Sequence, residues 1–238
     1  MKSKEFFTTS ELAKLLGISR IAVFNKIKSG VIKAQKMGRN FVIYKKDIEI
    51  LSDDLLGLAK NWVVLDKSFP QEFYCSNISV FQARLIRFED ELGQIKRLDK
   101  TFSLISAITG EMGNNSFDHN LGNWPDMPGI FFGYDLKKGI IVLADRGQGL
   151  LETLRKVKPK LASHQAALMV AFTEIISGRA PEARGNGLKF VKSVIFHNAI
   201  DLLFQTGDAQ LELQGNNSEI KIQKSAINFH GCLVLIKF

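Results

Sequence analysis

Apolar and polar positions change period several times along the chain, and each change marks an element. Thr8 and Glu11 have the spacing of a capping box, and Leu12, Leu15 and Leu16 follow at helical period. Gly17-Ile18-Ser19 interrupts the pattern. Gly17 suits a left-handed inter-helix turn, and Ser19 can cap a second helix. Ala22, Val23 and Ile27 would form that helix's inner face, with Arg20, Asn25, Lys26 and Lys28 on or near the other side. Gly30 closes it. Two short extended segments, near Ile32–Met37 and Phe41–Tyr44, then flank Gly38-Arg39-Asn40, the order of a helix-turn-helix with a small β-wing.

The next stretch is mixed. Asp53-Asp54-Leu55-Leu56 reads as the close of a short helix, Trp62-Val63-Val64-Leu65 as a strand, and Pro70 as a breaker. From Val80 to about Asp99, Phe81, Leu85, Phe88 and Leu92 recur at helical spacing, opposite a charged face. A further helix runs from Phe102 through Leu104, Ile105, Ile108 and Met112. Gly129–Tyr134 and Gly139–Ala144 read as a hairpin, Leu188, Val191, Val194 and Ile195 as a helix, and the apolar residues up to Ile236 as a closing strand. The pattern predicts an α+β protein with a head at 1–52, a connecting segment at 53–77 and a larger domain at 78–238.

Charge sharpens that division. The 238 residues carry a net +8, and residues 1–50 supply +7 of it, with eleven Lys/Arg against four Asp/Glu. A basic head on a nearly neutral body predicts a polyanionic partner for the head. No apolar run approaches the ~18 residues of a membrane span, and the opening residues carry no signal-like apolar stretch. Cys75 and Cys232 are too few for a disulfide framework or a zinc site. A reduced, cytoplasmic compartment is expected, with no membrane partner.

Three constellations in the larger domain carry chemistry. Glu111, Asn115 and His119 are spaced i, i+4, i+8, along one helix face. An amide oxygen such as that of Asn115 is a hard neutral ligand for Mg²⁺, and a nearby glutamate can act as a base or orient water. Asp145 ends a strand and is followed by Arg146-Gly147-Gln148-Gly149, so a carboxylate meets backbone that a ligand can approach closely. Arg184-Gly185-Asn186-Gly187-Leu188 opens a helix, where unpaired amides suit phosphate oxygens. Each is weak alone; their order strengthens them.

In that order the three motifs resemble the N, G1 and G2 boxes of the GHKL ATPase superfamily, which has the Bergerat fold of histidine kinases, anti-sigma-factor kinases and gyrase-type topoisomerases. Phe229-His230-Gly231-Cys232-Leu233-Val234-Leu235-Ile236 resembles its terminal glycine-then-strand. The resemblance implies an α/β sandwich, a mixed sheet covered by helices on one face, binding ATP or ADP with Mg²⁺. By position Asn115 would hold Mg²⁺, Glu111 would be the catalytic candidate, and Asp145 would read adenine beside Gly147 and Gly149. Gly185 and Gly187 would approach the phosphates, and Arg184 and Leu188 would belong to the same nucleotide site. Residues 150–184 would form a lid, with Lys156, Lys158, Lys160, Arg179 and Arg184 as cations on or beside it. His119 would be pocket wall. Arg146 departs from a frequent Asn, and Cys232 from a common Thr. The head resembles a winged helix-turn-helix of the excisionase and mercury-resistance-regulator type. That resemblance implies Ser19, Arg20, Asn25 and Lys26 in the major groove, Arg39 and Lys45 on phosphates, and a homodimer.

Three functions are expected from this reading. The first is a regulator whose nucleotide state gates DNA or partner-protein binding. The second is a serine/threonine kinase of the anti-sigma-factor type acting on a STAS-like partner. The third is a DNA-binding module with a degenerate nucleotide site.

Overall fold

The computed structural model describes residues 6–16, 19–28, 30, 32–38, 40–44, 54–65, 71–174 and 186–238. In the head, the strand β1 (Phe6–Thr8) leads into α1 (Thr9–Leu16) and α2 (Arg20–Lys28), followed by β2 (Gln35–Met37) and β3 (Asn40–Tyr44). The Thr8–Glu11 capping box forms: the Thr8 amide donates to Glu11 Oε2 at 2.9 Å, and the Glu11 amide to Thr8 Oγ1 at 3.3 Å. Ser19 caps α2, its Oγ accepting from the Ala22 amide at 3.1 Å. The strands pair antiparallel in the order β1-β3-β2, so the hairpin expected after α2 gains a third strand, β1, that the sequence pattern missed.

The connecting segment departs from expectation. Trp62–Leu65 is not a strand; it ends the helix α3 (Leu55–Leu65). Asp54 opens this helix instead of closing one, its Oδ1 accepting from the Gly57 amide at 2.7 Å. A run of four apolar residues is ambiguous between strand and buried helix, and burial on several sides decided it. Ala59, Trp62, Val63 and Val64 are all buried.

The body holds β4 (Tyr74–Cys75), α4 (Ile78–Gly93), α5 (Phe102–Asn120), β5 (Ile130–Asp135), β6 (Ile140–Asp145), α6 (Gly149–Arg155), α7 (His164–Thr173), α8 (Gly187–Phe196), β7 (Asp201–Leu213) and β8 (Ile220–Lys237). Its five strands run in the order β4-β5-β6-β8-β7, and every pairing among the described residues is antiparallel rather than mixed. Both faces of the sheet are buried. Phe132, Ile141, Leu143, Val234 and Ile236 point to the layer of α4 to α8, and Phe131, Val142, Ala144, Leu233 and Leu235 point to the opposite side. There α3 packs across β5, β6 and β8, so helices cover two faces where one was expected. The apolar cluster on this side continues through Trp62, Val63 and Val64 into Leu12, Val23, Ile32 and Ile43 of the head. No helix among the described residues is long and apolar enough to cross a membrane.

Candidate functional site

The cleft lies between α5, the start of α6 and the N-terminus of α8, above the ends of β6 and β8. α5 is anchored from behind by α4. Phe81 and Phe88 of α4 are fully buried, and Gly113 of α5 lies so close to Phe81 that a Cβ would come within 2.1 Å of the ring. Ser106 donates to Glu89 at 2.8 Å, and Gln82 donates to Asn114 Oδ1 at 2.7 Å. That last bond separates two adjacent asparagines: Asn114 serves the α4–α5 packing, and Asn115 lines the cleft.

The expected stripe assembles. Glu111, Asn115 and His119 all line the cleft. Asn115 Nδ2 donates to Glu111 Oε1 at 2.9 Å, which commits the amide nitrogen and leaves Oδ1 as the oxygen that suits a hard cation. Gly187 of α8 meets this pair, since a Cβ there would fall 1.6 Å from Glu111 Oε1. Leu188 lines the same wall. Arg184, Gly185, Arg39, Lys45 and Arg179 lie outside the described residues.

Asp145 closes the other end and is 1% exposed. Its Oδ2 accepts from Ser116 Oγ at 2.7 Å, and its Oδ1 from the amides of Gly147 at 2.9 Å and Cys232 at 3.3 Å. Burial pushes its pKa up to about 6, against the pull of the Ser116, Gly147 and Cys232 hydrogen bonds. Gly231, at φ +79°, lets the last strand pass over Asp145, where a Cβ would lie 2.1 Å from its backbone oxygen. Gly149 lines the cleft, whereas Gly147 is a turn residue whose Cβ position is filled by the Asn120 side chain.

Several site residues escaped the sequence reading. Ser116 holds Asp145, and Asn120 bridges the Ser116 carbonyl at 2.8 Å and the Gln148 amide at 2.9 Å. Both continue the α5 stripe, so the spacing that selected Asn115 pointed near them. Thr206 gave no such signal. It is fully buried on β7, accepts from the Leu150 amide at 3.2 Å, donates to the Gly231 carbonyl at 3.0 Å and takes the Cys232 thiol at 3.7 Å. Burial raises that thiol's pKa well above its ordinary value, with Asp145 adding to the effect, so Cys232 is a neutral wall group.

Arg146 leaves the cleft altogether. Its guanidinium pairs with Asp126 and lies 6.0 Å from the centre of the Trp62 ring on α3. Of the expected lid cations, Lys158 is paired with Glu174 at 2.5 Å, and Lys156 and Lys160 are exposed. In the head, Arg20 and Asn25 are exposed on α2, but Lys26 turns inward, its ammonium donating to the Val64 carbonyl at 2.6 Å. Ser19 is exposed, and its Oγ accepts the capping hydrogen bond.

No group of three or more His, Cys, Asp or Glu side chains among the described residues converges on one point as a metal site. Beside the Asn115 amide oxygen, the nearest carboxylate in the cleft is that of Glu111, which accepts from Asn115 Nδ2. No protein-family model matches the chain, and a search of curated proteins finds no match.

Proposed function

We propose that this chain is an ATP·Mg²⁺-binding, DNA-binding regulator, in which a GHKL-like cleft controls what the basic head binds. The observation that carries the reading is the pairing of two features across one cleft. A fully buried, triply hydrogen-bonded carboxylate ends a strand, and its Ser116 partner directly follows Asn115 on α5, about one and a half turns from Glu111, with Glu111 and Asn115 facing glycine-opened α8. Asp145 accepts the exocyclic amine of adenine, with Ser116 and two backbone amides holding its carboxylate in place. Asn115 Oδ1 holds Mg²⁺, which neutralises phosphate charge when bound. Glu111 orients water near the phosphates, and the α8 amides meet phosphate oxygens. The open cleft offers only about 90 Å³, less than the ~150 Å³ that admits a benzene. Nucleotide entry therefore requires the cleft to widen.

The five-stranded order and its helical layer agree with a Bergerat sandwich, with two differences: the sheet is antiparallel throughout its described pairings, and α3 covers its far face. The head's two helices and three short strands agree with a winged helix-turn-helix, with α2 as its reading helix. Phosphoryl transfer to a STAS-like protein is the second reading, and the same cleft supports it.

The two part in one experiment. The full chain is titrated with duplex DNA with and without Mg·ATP, and incubated with γ-labelled ATP alone and with a STAS-like protein. A nucleotide-dependent change in DNA affinity with no protein labelling supports the regulator. Label transferred to serine supports the kinase, and no nucleotide effect of either kind overturns both.

A further inference from the structure

We infer that α2 reads a thymine through the exposed side chain of Ile21, with Asn25 reading an adenine one turn further along. This rests on the DNA-binding reading of the head and goes beyond it to the base pairs recognised. The outward face of α2 carries Arg20, Ile21, Phe24, Asn25 and Lys28, a contiguous sector at i, i+1, i+4, i+5 and i+8. Val23 is fully buried and Lys26 is tied to α3, so the helix presents that one face outward. An ordinary solvated face would be charged and polar. Here Ile21 is 73% exposed and Phe24 is 37% exposed.

The two apolar side chains do different things. Phe24 stands edge-to-face against Phe41 of β3 at 5.8 Å between ring centres, and the Lys28 ammonium lies 4.9 Å from its centre. Phe24 thus ties the wing strand to the helix and holds Lys28 at the surface. Ile21 projects from the first turn of α2, the part of a reading helix that meets base edges. The C5-methyl of thymine is the one apolar group that the major groove offers, and an aliphatic side chain among hydrogen-bonding ones selects it. Asn25, one turn away, has the paired donor and acceptor that match adenine's N6 and N7. One turn rises about 5.4 Å, so the two side chains meet base pairs one or two steps apart.

Charge favours a duplex over an apolar protein partner. Arg20 and Lys28 are exposed on the face, Lys33 and Lys36 are exposed elsewhere on the head, and the one acid among the described head residues, Glu11, is engaged in the Thr8 cap. A surface with that balance repels cations and draws phosphate from either side of the apolar spot.

The test begins with random duplexes selected by the full chain, with and without Mg·ATP. In the selected site each thymine is replaced in turn by deoxyuridine, which lacks only the methyl. At one position the wild-type chain should lose about fourfold in affinity, the worth of one buried methyl. Ile21→Ala, a change at an exposed position, should bind the thymine and deoxyuridine duplexes alike there, while Asn25→Ala should lose its preference for adenine at a neighbouring pair. Equal binding of every deoxyuridine duplex by the wild-type chain, or undiminished discrimination by Ile21→Ala, overturns the assignment and leaves DNA binding standing. Failure of the wild-type chain to retain any duplex overturns the DNA reading itself, and this inference with it.

Discussion

The two faces of the body's sheet are built on opposite plans. Toward α4–α8 the strands deliver Asp145 and Thr206 to a buried end where Ser116, Asn120 and backbone amides satisfy them. Toward α3 the face is aromatic and aliphatic, and the apolar cluster runs on through Trp62 into the head. A polar network is held to one geometry by the need to satisfy every group, whereas an apolar seam is held by volume and area. The proposed chemistry draws on the first face, and the apolar seam of the second joins head and body. Arg146 joins them, since it follows Asp145 in sequence and ends over Trp62.

The contrast makes separable predictions. Trp62→Ala should have the largest effect, about 3–5 kcal/mol of lost stability, because it removes a buried indole from between head and sheet. Chemical denaturation measures it, and a loss below about 1 kcal/mol would show that the seam does not unite the two. On the other face, Asn115→Ala should leave the unfolding midpoint near its original value. Its affinity for Mg·ATP should fall on the order of ten- to a hundred-fold, the scale on which metal sites lose supporting groups, while magnesium-free binding stays unchanged.

A smaller effect comes from pH. Burial lifts the pKa of Asp145 to about 6, so the folded cleft holds the proton more tightly than the unfolded chain does. Its ionisation opposes folding, and the stability it lends below its unfolded value is lost as pH rises through about 6. Adenine recognition runs the other way, since the amine donates best to the ionised carboxylate. Nucleotide affinity should thus be about tenfold weaker at pH 5 than at pH 7.5. A flat profile by calorimetry would remove Asp145 from the ligand's contacts. Smallest is Lys26→Met, expected to cost about 0.5–1.5 kcal/mol by removing one half-buried hydrogen bond to α3. It should leave the salt dependence of DNA binding nearly unchanged, because that ammonium is turned away from the outward face.

What the sequence made legible follows the same contrast. The capping residues Thr8, Glu11 and Ser19, the helical stripe of Glu111 and Asn115, and the hairpin into Asp145 are local signals, written in spacings of three, four and two. The structure brings Glu111, Asn115, Asp145, Gly149, Gly187 and Leu188 around one cleft, a grouping that the family resemblance implied and that no local spacing contains. Contacts made across long separations carry no such spacing. Thr206 reaches Leu150 from 56 residues away, and Lys26 reaches Val64 from 38. The misreading of Trp62–Leu65 has the same origin: a short apolar run records that it is buried and leaves unsaid whether by neighbours in a sheet or by a sheet and a head on opposite sides of a helix. Arg146 was visible as a departure from a pattern, but its partners Asp126 and Trp62 were not.

The central claim is that Asp145 and its hydrogen-bonded shell receive the base of an adenine nucleotide. It is met most directly by calorimetric titration of the folded full chain with Mg·ATP and Mg·GTP at pH 7.5, repeated on Asp145→Asn. Expected are saturable heat with ATP, little with GTP, and loss of the ATP heat in the variant while its circular dichroism stays that of the folded chain. Equal heats for both nucleotides, or an Asp145→Asn chain that binds ATP as the wild type does, would contradict it.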